Sequence, residues 1–229
     1  MSAEGAAAPS PDEAADAAAT ALERGRLLFS GACDFFYAAQ RLDQLPPVGL
    51  PEIAFAGRSN VGKSSLLNAL TGRRALARVS VTPGRTRQLN FFDLGGRLGL
   101  VDMPGYGYAK AGKEIQRDWQ GMMFAYLRGR PSLRRVLLLL DARVEVKDSD
   151  RQVMDLLDRA AVTFQIVLTK TDAVKPAALA AKQAAVVALA RAHPAAHPDV
   201  LPTSSETGAG IPELRAVLAE TIAGVGLLA

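Results

Sequence analysis

From Glu52 onward, short apolar runs alternate with amphipathic stretches. Ile53-Ala54-Phe55-Ala56 is a strand-sized apolar run closed by Gly57, and the residues after it predict a helix from Lys63 to about Leu70. Residues 88–94 and 97–102 read as two strands meeting at Gly95-Gly96, a hairpin signal. A helix is expected around 115–127. It leads to 135–141, whose Val/Leu run has no polar alternation and so predicts a strand buried on both faces. A helix at 149–160, a strand at 164–169, a helix at 176–192, a short strand at 200–203 and a helix at 211–222 complete the pattern. This βα alternation predicts an α/β fold, a mostly parallel six-stranded sheet with one antiparallel hairpin strand and helices on both faces. In such sheets ligands sit at the carboxyl ends of the strands.

The first 50 residues follow a different pattern. Residues 1–21 are rich in Ala, with Pro, Ser and acids but no periodic apolar face, which predicts a disordered or loosely helical tail. Residues 26–45 carry Leu27, Leu28, Phe29, Phe35, Phe36 and Tyr37 and are expected to pack on the main domain before Pro46-Pro47 interrupts the chain. The expected division is therefore a tail at 1–21 and one domain at 22–229, including an N-terminal extension at 22–50. Residues 1–21 have a net charge of −4, which leaves +8 on the rest of a chain whose total is +4. Arg outnumbers Lys 20 to 7, and Arg suits phosphate and RNA because its planar fork donates bidentately. The lone Cys33 cannot form an internal disulfide or a cysteine zinc site. No apolar run is membrane-length and no signal-peptide pattern opens the chain, so the expected location is the cytoplasm.

Candidate chemistry lies at four predicted strand ends. Gly57-Arg58-Ser59-Asn60-Val61-Gly62-Lys63-Ser64 has the spacing G-x-x-x-x-G-K-S between a strand and a helix. Its glycines let backbone N–H groups wrap phosphate oxygens and the helix N-terminus adds a favourable dipole. Lys63 would bridge β- and γ-phosphates, and the Ser64 hydroxyl would ligate Mg²⁺. Asp102-Met103-Pro104-Gly105 closes a second strand: the Asp can hold a Mg²⁺-bound water and the Gly N–H can approach a γ-phosphate. Thr169-Lys170-Thr171-Asp172 closes a third. A carboxylate at Asp172 can accept from guanine N1–H and its exocyclic amine, a donor pair adenine lacks, while the stem of Lys170 covers the base. Ser204-Ser205-Glu206-Thr207-Gly208 ends the following strand, where its backbone could meet the guanine oxygen.

These elements stand in the order found in Ras-like, translation-factor-class GTPases. The stretches Leu45-Pro46-Pro47, Glu52 to Asn68, Thr82-Pro83-Gly84-Arg85-Thr86, Leu89-Asn90-Phe91-Phe92 and Asp102 to Ala109 closely resemble the EngB/YihA/YsxC family of ribosome-biogenesis GTP-binding proteins, within the TrmE-Era-EngA-EngB-septin-like GTPases. The likeness spans about residues 27–222, and Tyr106-Gly107-Tyr108-Ala109 is its more family-specific part. The resemblance implies nucleotide contacts from Gly84, Arg85, Thr86, Arg87 and Gln88, with Thr86 as the switch-one Mg²⁺ ligand and Thr82 as its competitor. It puts the guanine loop on Thr203, Ser204 and Ser205. It further implies slow GTP hydrolysis as a switch in assembly of the large ribosomal subunit, needed for normal division and septation. The implied ligands are GTP or GDP with Mg²⁺, in a monomer that engages the large subunit or its rRNA and neither membrane nor DNA.

Tyr106 stands where many GTPases have a water-orienting glutamine, which predicts low intrinsic turnover. No general base is evident. Asn60 is either a loop-forming residue or, by resemblance, a K⁺ ligand. Residues 71–90 and 110–135 each have a net charge of +5 and flank the nucleotide, a pattern that suits a polyanion or a solvated helix face. Tyr106, Tyr108 and Trp119 could stack on bases, with core or second-switch packing the favoured reading of Trp119; His193 and His197 read as surface residues. Two other functions fit parts of the pattern: a nucleotide-dependent protein-binding module in division, and a phosphate-loop small-molecule kinase, against which Asp172 argues.

Overall fold

Among the described residues seven strands hydrogen-bond into one sheet: β1 (Cys33–Ala39), β2 (Glu52–Gly57), β3 (Leu89–Leu94), β4 (Leu98–Asp102), β5 (Leu133–Asp141), β6 (Phe164–Thr169) and β7 (Leu201–Pro202). The computed structural model describes residues 10–73, 76, 88–106, 121 and 123–224. Their order across the sheet is β1-β3-β4-β2-β5-β6-β7. Only β3 runs against the others, pairing antiparallel with both β1 and β4. Gly95 and Gly96 turn the β3–β4 hairpin at φ 59° and 68°, a left-handed pair that glycine adopts without steric penalty.

The helices are α1 (Pro11–Phe29), α2 (Lys63–Thr71), a helical stretch at 123–129 (α3), α4 (Asp148–Ala160), α5 (Pro176–Ala190) and α6 (Ile211–Ala223). Alternate residues of the buried strands divide between two cores. Ile53, Phe55, Leu137 and Leu139 pack with Phe29, Leu66, Leu70, Leu214 and Leu218, which belong to α1, α2 and α6. Ala54, Ala56, Val136 and Leu138 pack with Met123, Tyr126, Met154, Leu157 and Val186 of α3, α4 and α5. The parallel strands are therefore covered on both faces, and their carboxyl ends are left to form a rim.

The strand count is one higher than expected, and the extra strand is β1. Its signal was hidden because Phe35, Phe36 and Tyr37 are all exposed, so apolar and polar positions do not alternate. The register shifts between Phe35 and Tyr37, a bulge that bends this edge strand. Of the expected disordered or loosely helical tail, residues 11–21 are the first turns of α1. Ser10 caps that helix in a reciprocal box with Glu13, so caps and alanine propensity hold turns that no core covers.

Two basic-surface expectations are corrected. Arg130 is an internal residue. It pairs with buried Glu52 at 2.5 Å and donates to the Pro46 carbonyl at 2.7 Å, while Tyr126 donates to the same carboxylate at 3.1 Å. Arg135 is half-buried and donates to Gln165 Oε1 at 2.6 Å. Of this group Arg128 and Arg134 are exposed; Lys110, Lys113, Arg117 and Trp119 lie outside the described residues. His193 is also tucked in: its Nδ1 lies 2.7 Å from Asp158 Oδ2, and its ring meets Phe164 edge-on.

Candidate functional site

The buried run of β2 delivers Gly57 to the sheet rim, where the chain turns through residues 58–62 into α2. The turn depends on its glycines. A Cβ on Gly57 would lie 2.7 Å from Val61 Cγ1 and 3.1 Å from the Leu139 carbonyl, and Gly62 holds φ 111° as the N-cap of α2. Asn60 occupies φ 63°, a left-handed conformation that asparagine tolerates better than most residues. Lys63 and Ser64 then fall in the first turn of α2, where unsatisfied N–H groups favour an anion.

Beneath the loop, Asp102 ends β4. Its Oδ1 is buried and has no hydrogen-bond partner among the described residues, while the Asn90 side chain bonds to the same carboxylate. Burial pushes the Asp102 carboxyl above its ordinary pKa, with Lys63 and Asn90 partly opposing that shift. Burial likewise pushes the Lys63 ammonium below its ordinary value, with Asp102 opposing. A half-buried ammonium and a carboxylate with one oxygen unpartnered among the described residues, placed beside the Ser64 turn, fit a magnesium-bound phosphate, which would supply the missing charge and ligands. Arg58 Nε is also buried without a partner among the described residues.

The chain after Asp102 folds back against the phosphate loop. Met103 N donates to Phe55 O at 3.1 Å, Tyr106 N to Gly57 O at 3.3 Å, and Ser59 N to Tyr106 O at 3.2 Å. Gly105 permits this approach, since a Cβ there would lie 3.1 Å from Ser59 N and 3.4 Å from Lys63 Nζ. The Tyr106 ring turns into the core and its hydroxyl donates to Asp150 Oδ1 at 2.9 Å. Burial first, and the Asp150 charge second, raise that phenol far above its usual pKa, so it stays protonated.

The third strand end is joined to the first. Thr169 is buried and its hydroxyl donates to Val61 O at 2.7 Å, so its side chain braces the phosphate loop. Lys170 sits at φ 58° and reaches Asn60 O at 2.6 Å. Thr171 is buried and its N–H donates to Thr203 O at 3.2 Å. Asp172 is exposed on the rim and its Oδ1 accepts from Ser204 Oγ at 2.5 Å. Ser204 Oγ accepts in turn from the N–H groups of Glu206 and Thr207, and Ser204 N donates to Ala209 O at 2.9 Å. Ser204 thus shapes the loop and holds Asp172, and Ser205 is the half-buried residue beside it.

The structure brings together Gly57–Ser64, Asp102–Gly105, Thr169–Asp172 and Thr203–Ser205 on one rim. Gln88 is described and donates to Asn90 Oδ1 at 2.9 Å. Gly84, Arg85, Thr86 and Arg87, together with Thr82, lie outside the described residues. Sequence reasoning missed four contributors: Asn90 on Asp102, Asp150 on Tyr106, Asp141 on Lys170 and Gly210 under the Thr203 loop. Asp141 alone had a usable signal, a carboxylate at the carboxyl end of a parallel strand.

A family profile described as a 50S ribosome-binding GTPase matches residues 52–170. A probable GTP-binding protein EngB from Gluconobacter oxydans is 70% identical over 198 residues, 86% of this chain and 87% of the relative. A protein of the same description from Granulibacter bethesdensis is 69% identical over 201 residues, 88% and 90% of the two chains. Among solved structures, a probable GTP-binding protein EngB superposes with a TM-score of 0.60 at 23% identity, over 76% of this chain and 99% of that one. Era, solved with MgGDPNP and a segment of 16S ribosomal RNA, gives 0.57 at 19% identity over 77% and 58%. Those two likenesses establish the fold, and the curated relatives establish kinship: with a phosphate loop, a D-x-x-G turn and a T-K-x-D turn on one rim, the chain belongs to the EngB family of GTPases.

Proposed function

We propose that this GTPase is a cytoplasmic, monomeric switch in assembly of the large ribosomal subunit, and that normal division and septation depend on it. The observation that carries the nucleotide part is the buried Asp102 oxygen that has no partner among the described residues, beside Lys63 at the mouth of the phosphate loop. In this reading the backbone of residues 57–62 wraps the phosphates, and Lys63 contacts the β- and γ-phosphoryl oxygens. Ser64 and Thr86 ligate Mg²⁺, and Asp102 acts on its water shell. The ion neutralises phosphate charge. Asp172 selects guanine through its N1–H and amine, Lys170 covers the base, and the loop of Thr203, Ser204 and Ser205 faces the guanine oxygen.

Hydrolysis is slow in this reading, because the aromatic at 106 has no amide with which to orient water and its hydroxyl is committed to Asp150. Asn60 is a candidate K⁺ ligand. Turnover compared in KCl and NaCl at equal ionic strength should be faster in KCl, and equal rates would remove that role. The Arg-rich segments 71–90 and 110–135 engage ribosomal RNA, with Arg128 and Arg134 as exposed members. The family's description as 50S ribosome-binding supports the partner. Cosedimentation with purified 50S subunits should occur with a GTP analogue, weaken with GDP, and follow xanthine instead of guanine nucleotides in Asp172→Asn. Copurification with division proteins and no ribosome would favour the protein-binding module instead. A phosphate acceptor that accelerated turnover would favour the kinase.

A further inference from the structure

Asp141 closes β5 on the rim, and both its carboxylate oxygens are engaged. Oδ1 accepts from Arg143 N at 3.0 Å and Nε at 2.9 Å; Oδ2 accepts from Arg143 Nη2 at 2.8 Å and pairs with Lys170 Nζ at 3.0 Å. Lys170 Nζ also donates to Asn60 O. The lysine stem therefore spans from the β6 turn to the phosphate loop, with Cε 3.7 Å from the point a Cβ on Gly62 would occupy. One end of that stem is set by a left-handed backbone at φ 58°. The other is set by two acceptors on two different elements. A long flexible side chain presents a fixed apolar stem only when its charged tip is anchored, and a carboxylate anchors an ammonium more strongly than a neutral carbonyl does.

We propose that Asp141 is a positioning residue for the purine: it holds Lys170 in the extended arrangement that lays its methylenes across the base, and Arg143 aligns Asp141 for that task. This rests on the reading that Lys170 covers the guanine. Burial works to raise the Asp141 carboxyl, but the hydrogen bonds from Arg143 and Lys170 outweigh it and hold the group well below the usual carboxylate range. It is therefore a charged acceptor throughout the physiological range. Asp141 differs from Asp172 in what it acts on: Asp172 reads the edge of the base, whereas Asp141 acts through a side chain on its face.

The test is equilibrium binding of GDP and IDP to the full chain as wild type, Asp141→Ala, Asp141→Asn, Lys170→Ala and the Asp141→Ala/Lys170→Ala double variant. Inosine lacks the 2-amino group, so the GDP-to-IDP ratio reports on Asp172. Asp141→Ala should weaken both nucleotides about ten-fold and equally, and Asp141→Asn, which keeps one acceptor, about three-fold. In the Lys170→Ala background, removing Asp141 should change affinity by less than about two-fold, because the two residues act as one unit. Three results would each overturn the proposal: Asp141→Ala binding like wild type, its full effect persisting without Lys170, or a changed GDP-to-IDP ratio. Should Asp141→Ala fail to fold, Asp141→Asn and its double variant with Lys170→Ala carry the same comparison. Lys170→Ala binding GDP like wild type would instead sink the base-covering reading, and this proposal with it.

Discussion

Tyr106 and Arg130 show how far a single side chain's surroundings can move it from the role its neighbours in sequence suggest. Tyr106 follows the D-x-x-G turn, yet its ring is a core residue and its hydroxyl serves Asp150, whose other oxygen accepts from Lys147 N at the start of α4. Tyr106→Phe should leave Asp150 Oδ1 short of a donor and cost about 1.5–3 kcal/mol in urea unfolding, while GTP turnover stays within about two-fold because the hydroxyl does not orient water. Arg130 lies in a basic stretch but forms a buried pair with Glu52 that also secures the Pro46 carbonyl. Arg130→Ala strands a buried carboxylate and should destabilise by about 3–5 kcal/mol, again by urea unfolding; replacing both partners with apolar residues of similar volume should recover most of that loss.

At the scale of elements, close backbone approach decides where α1 and the Thr203 loop lie. Gly25 is buried against α6, and a Cβ there would fall 2.5 Å from Ala216 N. Arg215 joins three helices at the same place, with its guanidinium over Phe29 and its N–H groups on the carbonyls of Leu70 and Ala69 at the end of α2. Gly25→Ala should therefore lower stability by about 1–3 kcal/mol, with faster amide exchange along α1 and little change at the nucleotide rim. Gly210 has φ 73°, and a Cβ on it would meet Pro202 O at 2.0 Å. Gly210→Ala must displace residues 203–210 and with them the Ser204 hydroxyl that holds Asp172. Guanine nucleotide affinity should fall at least about ten-fold, and the thermal midpoint of the nucleotide-free protein should fall as well, because Thr203, Ser204 and Ile211 beside this glycine are buried.

For the molecule as a whole, charge and ligand are linked to stability. Asp141 has a folded pKa below its unfolded value of 3.8, so the stability it contributes is present above that pH and is lost as the pH falls through the folded value. The gap in unfolding free energy between wild type and Asp141→Ala should accordingly be constant near neutrality and close below pH 3.8, followed by circular dichroism in urea at successive pH values. A ligand that binds only the folded chain at a hundred times its Kd adds about 2.7 kcal/mol. GDP with Mg²⁺ should raise the melting temperature by that mechanism, and chelation of the ion by EDTA should withdraw part of the rise.

The fold class, the single antiparallel strand β3 and the rim location of the site follow from local pattern, because buried parallel strands, glycine turns and phosphate loops each need particular residues at fixed spacing. Thus Gly57–Ser64, Asp102–Gly105 and Thr169–Asp172 could be read directly from the chain, and the seven-stranded sheet does bring them together. What local pattern could not contain is contact between residues far apart in sequence. Strand β1 pairs 50 or more residues away through exposed aromatics that break alternation, and α1 is docked by a glycine whose value lies in what it lets α6 approach. Asp150, Asn90, Asp141 and Ser204 acquire their roles from groups on other elements. Identity and spacing along the chain determine which chemistry can be assembled; only packing determines which side chains are held where that chemistry needs them.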